Sequence, residues 1–449
     1  MTGVSTAPPP ADHFDPLAPS GSSALLTDHY ELTMLQASLS DGTAGRRAVF
    51  EVFARSLPPG RRYGVVAGTG RVLDAIEAFR FTTNQLDWLA SARVVDEPTV
   101  QYLAEFQFSG DVHGYAEGDL YFPYSPVLTV ESTFAEAVLL ETVLLSILNH
   151  DCAVASAASR MTLAAGSRPC IEMGSRRTHE AAAVAAARAA YVAGFASTSN
   201  LAAGHRWSIP TRGTSAHAFT LLHDDEAAAF AAQVAALGTT TTLLVDTYDV
   251  DEGVRTAVAV GGPGLGGVRL DSGDLIAQAH QVRRQLDELG ARDTRIIVTS
   301  DLDEYAIAAL AAAPADAYGV GTRLVTGSGA PTASMVYKLV ARGDADGELH
   351  PVEKRSAGKS SHGGRKTALR RRRAERAQAE VVAAELRPAD VGPDDRPLQV
   401  PLVRAGAIVG REPLTAARER HRMAMDELPD HARKLSHGEP AIPTTEGTP

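Results

Sequence analysis

From about residue 168 onward the sequence repeats one design seven times. A short apolar run ends in small polar or charged residues, and a helical pattern follows. The runs are "CIEMGSRRTH", "GFASTSN", "IPTRGTSAH", "TTLLVDTYD", "GVRLDSGD", "RIIVTSDLDE" and "AYGVGTRL". Most are separated by helix-like stretches: "HEAAAVAAARAAYV", "DDEAAAFAAQVAAL", "DLIAQAHQVRRQLDELG" and "DLDEYAIAALAAA". Strand, polar tip, helix, repeated, is the sequence form of a parallel β/α barrel. An open doubly wound sheet is the alternative, since its strand tips also face one crevice. Seven units of one design favour the barrel, although eight clear strands are not present. In a barrel the C-terminal strand ends build the active site. Arg176, Ser199, His217, Asp246, Asp271, Asp274, Ser300, Asp301, Gly319 and Gly321 are therefore expected to converge.

The remainder of the 449 residues leaves room for a second domain. In residues 25–140, "AVFEVFARSLPPG" reads as a strand and turn, "TGRVLDAIEAF" and "TTNQLDWLASA" as helices, and "GDVHGYAEGDLYFPYSPVLTVES" as short strands. The expected organisation is a disordered leader over 1–24 and an N-terminal α+β domain over 25–140. The barrel follows over 141–345, then a basic flap and C-terminal segment over 346–425 that packs back on the N-terminal domain, and a disordered tail over 426–449. The fold class is α/β, an irregular parallel β/α barrel with an N-terminal α+β domain. No run approaches the ~20 apolar residues of a membrane span; "FAEAVLLETVLLSIL" is interrupted by Glu136 and Glu141. Two cysteines, Cys152 and Cys170, cannot form a disulfide framework, so a cytoplasmic location is expected. A formal charge of -11 argues against a whole-surface nucleic-acid binder.

Three tips carry chemistry. In "RLDSGD", Asp271 and Asp274 flank Ser272-Gly273. They can grip vicinal hydroxyls or Mg²⁺ through water, while Asp274 also suits a helix N-cap. "YGVGTRLVTGSGAP" offers backbone N–H groups at its glycines, with hydroxyls from Thr322 and Ser328, a phosphate cradle in the late-barrel position. "SAGKSS" is not a P-loop, because Glu353 stands where the first glycine must be. The segment 352–376 places ten Lys and Arg residues between Lys354 and Arg376 against one acid, Glu375, and reads as a flap for polyphosphate or a solvated loop. No Cys/His cluster has zinc spacing. In "RGTSAHAF", His217 lies among hydroxyls at a strand tip, which favours a site role over core packing.

"LLTDHYELTM", "HGYAEGDLYFPYSPVLTVES", "EMGSRRTHE", "GTSAHAF", "LLVDTYD", "RLDSGDL", "TSDLDE" and "YGVGT", in this order from about 25 to 420, resemble the nicotinate phosphoribosyltransferase family of type II phosphoribosyltransferases. The resemblance implies transfer of phosphoribosyl from phosphoribosyl pyrophosphate (PRPP) to nicotinate, giving nicotinate mononucleotide and pyrophosphate in NAD salvage. It implies ATP as co-substrate, Mg²⁺, a phosphohistidine at His217, and a homodimer with active sites between subunits. By matching motifs, Tyr30 stacks on the pyridine ring from the partner subunit, Arg269 and Arg176 meet the base and PRPP, and Asp271 and Asp274 hold the ribose. Thr214 and Ser300 line the substrate, and Gly319, Gly321 and Thr322 hold the 5′-phosphate. Arg55, Lys354, Lys359 and Lys366 face pyrophosphate or ATP phosphates, and Asp246 or Asp249 orients His217 or holds Mg²⁺.

Relatives of the same fold that use nicotinamide carry an aspartate where Ser199 stands in "FASTSNLAAG". Serine there favours nicotinate, whose carboxylate an aspartate would repel. Met173 stands where an aromatic is usual, which thins the ring sandwich. The rivals are a nicotinamide or quinolinate phosphoribosyltransferase, and a non-catalytic metabolite sensor or nucleic-acid binder built on the same barrel. "GTSAH" speaks against quinolinate, whose reaction has no use for a phosphohistidine, and the complete set of tips speaks against a sensor. Neither nucleic acid nor membrane is an expected partner.

Overall fold

Six of the seven apolar runs form parallel strands in one sheet. In spatial order these are Ser197–Thr198, Cys170–Glu172, Ala317–Val320, Arg295–Ser300, Gly267–Leu270 and Thr242–Leu244. The seventh run contributes a single parallel bridge between Thr211 and Thr198. Among the described residues no ladder joins Thr211 to Thr242–Leu244, so the curved sheet stays open at that seam. The computed structural model describes residues 21–354, 362–384 and 391–446. Val268, Leu270, Ile296, Val298, Tyr318 and Val320 are all fully buried, which explains why these runs are apolar without alternation. Alanine-rich helices such as Glu180–Val192 bring their backbones close to this core.

The repeated acid ahead of the barrel helices has a local cause. Asp225, Asp249, Asp274 and Asp303 each cap the following helix, their side chains accepting from backbone N–H groups of its first turn. Those donors have no partner within the helix, so an aspartate there is favoured by about 1 kcal/mol over alanine.

The other half is a seven-stranded sheet whose order is Leu349–Pro351, Met335–Gly343, Arg47–Ala54, Leu128–Thr133, Asp111–Tyr115, Gln399–Arg404 and Ala407–Ile408. It is built from three separate stretches of chain. The boundary expected at 345 is therefore corrected: Met335–Gly343 leaves the barrel and pairs antiparallel with Arg47–Ala54. The 25-residue helix Glu141–Ala165 packs against both halves.

Two further expectations are corrected. The basic run is not a structureless flap throughout, because Thr367–Arg373 pairs antiparallel with Arg376–Ala383. Arg370 is fully buried there, its charge met by Glu380 at 3.0 Å, so the strand is hidden in sequence by its own arginines. Nor is 426–446 a loose tail. Ala432, Ala441 and Ile442 join the barrel core, and Thr444–Glu446 pairs in parallel with Arg376–Ala383. At the other end, Ser23 and Ala24 are fully buried and belong to the fold; the rest of the expected leader, 1–20, lies outside the described residues.

Candidate active site

The strand tips supply three linked groups. In the first, Asp246 organises the "RLDSGD" turn. Its Oδ2 accepts from the Asp271 backbone N–H at 2.8 Å and from Ser272 Oγ at 3.1 Å. Its Oδ1 is buried and has no partner among the described residues. The Asp271 carboxylate accepts from the Thr299 hydroxyl of the neighbouring strand. Asp274 spends Oδ1 on the Ala277 N–H at 3.1 Å, and Asp249 spends Oδ1 on the Glu252 N–H at 3.0 Å.

Arg269 forms the second group. It lies on the strand Gly267–Leu270, and its guanidinium donates to Thr214 Oγ1 and to the Ser215 carbonyl at 3.2 Å. Burial lowers its pKa, the charges of Asp271 and Asp246 support the cation, and Arg176 opposes it. Thus Arg269, Arg176, Thr214, Asp246 and Asp271 face one region. Arg269 Nε is buried without a partner.

The third group contains His217, half-buried at the start of the helix His217–Leu222. Its Nδ1 lies 3.1 Å from Thr247 Oγ1, the residue after Asp246. Among the described residues Nε2 has no hydrogen-bond partner. Glu226 begins the next helix, and its Oε1 is buried and unpartnered. Burial, then Asp246 and Asp249, push its carboxyl up to about 7. Thr247, Thr299 and Glu226 escaped the sequence reading. The acid beside the Asp225 cap in "DDE" was the only visible signal for Glu226.

At the first two tips, buried Glu172 accepts from the Gly174 N–H and the Thr198 hydroxyl, and its carbonyl accepts from the Ser199 N–H at 2.8 Å. The Ser199 side chain is exposed. Gly319 has no room for a side chain: a Cβ there would lie 2.5 Å from Thr299 Cγ2 and 2.8 Å from Met173 Sδ. Ser300 holds φ at +148° at the adjacent tip, a conformation that strains a non-glycine residue. Thr322 begins the short helix Thr322–Val325.

The remaining candidates lie elsewhere in the chain. Tyr30 is 44% exposed on the helix His29–Ser40. Arg55 and Lys354 follow strands of the antiparallel sheet, with the Arg55 guanidinium 6.0 Å from the Phe53 ring. Lys366 is bound to Glu51 at 2.7 Å and to the His362 and Gly364 carbonyls at 2.7 and 2.9 Å. Lys359 lies outside the described residues.

A parallel β/α sheet whose tips gather arginine, carboxylates and a half-buried histidine defines a barrel-type enzyme. The nicotinate phosphoribosyltransferase N-terminal domain matches residues 25–149, and the nicotinate phosphoribosyltransferase family matches residues 169–385. The chain is 58% identical to nicotinate phosphoribosyltransferase pncB1 of Mycobacterium tuberculosis, with 97% of this chain and 98% of that protein covered. The crystal structure of human nicotinic acid phosphoribosyltransferase superposes with a TM-score of 0.80 at 26% identity, covering 94% of this chain and 97% of that one. Nicotinate-nucleotide pyrophosphorylase from Pyrococcus furiosus superposes with a TM-score of 0.75 at 25% identity, covering 92% and 98%. The chain belongs to the nicotinate phosphoribosyltransferase family, and it is an enzyme. Among the described residues no helix is long and apolar enough to cross a membrane.

Proposed function

We propose that this enzyme transfers phosphoribosyl from PRPP to nicotinate in NAD biosynthesis, and that it couples the transfer to ATP hydrolysis through His217. The observation that carries the coupling is the imidazole geometry. Nδ1 is tied to Thr247 Oγ1 at 3.1 Å, which leaves Nε2 as the nucleophile toward the γ-phosphoryl group. The P–O bond to ADP breaks as the Nε2–P bond forms, and water later hydrolyses the phosphohistidine.

In the transfer step the C1–O bond to pyrophosphate breaks and a C1–N bond to the pyridine forms. The transition state carries positive charge at C1, and Asp271, held by Thr299, supplies the compensating carboxylate. Arg269 and Arg176 provide the cations for the base carboxylate and PRPP. The exposed Ser199 hydroxyl donates to nicotinate. A divalent cation suits this donor set, because Asp246 Oδ1 and Glu226 Oε1 are buried carboxylate oxygens without partners. Bound there, Mg²⁺ would neutralise phosphate charge.

The active unit is a homodimer in which Tyr30 reaches the partner's site. Leu221, Leu222 and Tyr248 on the tip segments are 62%, 78% and 61% exposed, and Leu25, Leu26 and Tyr30 on the N-terminal domain are 40%, 45% and 44% exposed. These exposed apolar side chains support the reading that a partner covers both places.

The test is nicotinate mononucleotide formation from nicotinate and PRPP with Mg²⁺, with and without ATP, in wild type and His217→Ala. ATP should accelerate the wild type and not the variant. An equal response to ATP in both refutes the coupling role.

A further inference from the structure

The segment that follows the Gly319–Thr322 tip is held by a buried ionic cluster with no part in the chemistry described so far. Glu304 is 1% exposed, in the first turn of the helix Glu304–Ala309. Its Oε1 receives Arg61 Nη1 at 2.8 Å and Arg160 Nε at 3.0 Å. Its Oε2 accepts from Ser328 Oγ at 2.5 Å. Arg61 also donates through Nη2 to the Gly327 carbonyl at 2.6 Å. The turn so gripped is unusual in its backbone, with φ of +63° at Gly327, +51° at Ser328 and +86° at Gly329. Serine in the left-handed region is unfavourable unless something holds it. Here the Ser328 hydroxyl, expected from the sequence in the phosphate cradle, is instead donated to Glu304, and the preceding carbonyl is anchored by Arg61. The turn is one helical step from Thr322, whose carbonyl accepts from the Thr326 N–H at 3.1 Å.

We infer that Glu304 is a positioning residue for PRPP: through Ser328 and Arg61 it fixes the Gly327–Gly329 turn, and with it the Gly319–Thr322 loop that would receive the 5′-phosphate. The inference rests on the phosphate role proposed for that loop. Glu304 itself comes from the "TSDLDE" tip and Arg61 from the N-terminal domain, so one carboxylate joins two neighbouring tips and both halves of the chain. A loop clamped in this way presents its N–H groups without an ordering cost when the phosphate arrives.

Ser328→Ala removes the tether and leaves both arginine contacts to Glu304 in place. The KM for PRPP should rise about tenfold, as expected for loss of a hydrogen bond to a charged group, while kcat and the KM for nicotinate stay within about twofold. Glu304→Gln should move the same constant further, with a lower Tm because two guanidiniums lose their counter-charge. Gly321→Ala reports on the loop itself. If Gly321→Ala raises the KM for PRPP and Ser328→Ala does not, the positioning role is overturned. If Ser328→Ala lowers Tm and shifts kcat and both KM values together, the cluster is only structural and the inference falls. If neither variant moves the PRPP constant, the phosphate reading of the loop is wrong and the inference fails with it.

Discussion

Arg370 and Glu380 in the antiparallel half are both fully buried and 3.0 Å apart, and nearby Arg396 pairs with Asp119 and Glu427. On the polar face of the parallel sheet, Arg269, Asp246, Asp271 and Glu226 have no opposite charge within ion-pair distance among the described residues. Both regions hold ionisable groups out of water, but only the first sets each against an opposite charge, even though Arg370 Nε and Nη1 have no hydrogen-bond partner among the described residues. An unpaired, partly buried charge costs stability, and a fold keeps it where a ligand will complete it. The difference marks the strand tips as the place where a charged ligand can complete what the fold leaves open.

The comparison breaks most visibly at its two extremes. Arg370→Ala leaves Glu380 buried without its cation and should cost about 3–5 kcal/mol. Denaturation should show a large drop in stability, with little change in kcat per folded molecule. Asp271→Asn should do the reverse, lowering kcat by about 10²–10³ while Tm moves little. Comparable loss of activity in both variants would erase the distinction.

Ser199→Asp tests the choice of base. Two like charges ~4 Å apart at an effective dielectric near 20 repel by about 4 kcal/mol. Because Ser199 is exposed, solvent screens much of this, and a rise of about tenfold to a hundredfold in the KM for nicotinate is the expected outcome. Competition assays with nicotinamide would show whether selectivity shifts in parallel.

The smallest effect concerns Glu226. Its carboxyl is raised from 4.5 to about 7 by burial and by Asp246 and Asp249. The folded state therefore binds more protons than the unfolded state between those values, and stability falls as pH rises through this window. Glu226→Gln should match wild type near pH 4 and exceed it at pH 8 by about 1 kcal/mol, the shift being discounted for partial exposure. Urea titrations at the two pH values measure this directly.

Local patterns made much of the barrel legible. The capping acids Asp225, Asp249, Asp274 and Asp303 announce helix starts, and buried runs such as "RIIVTS" announce strands. What escaped depends on distant pairing. Nothing within Met335–Gly343 says that its partner is Arg47–Ala54, and nothing around Arg370 reveals that Glu380 neutralises it. The same holds within the site. Arg269, Asp271 and His217 stand in recognisable motifs, whereas Thr299 reaches Asp271 only through the pairing of two strands, and Thr247 reaches His217 only across the open seam.

The seam between Thr211 and Thr242–Leu244 bears on how a phosphorylated imidazole could be accommodated. Residues 213–216, which lead into His217, belong to no ladder, and their ties to the barrel are the Thr214 and Ser215 contacts with Arg269. A phosphoryl group added at His217 would also attract Arg269. Were His217 to carry such a group, a displacement of this segment would rupture no sheet hydrogen bond, and the strands around it would keep their pairing.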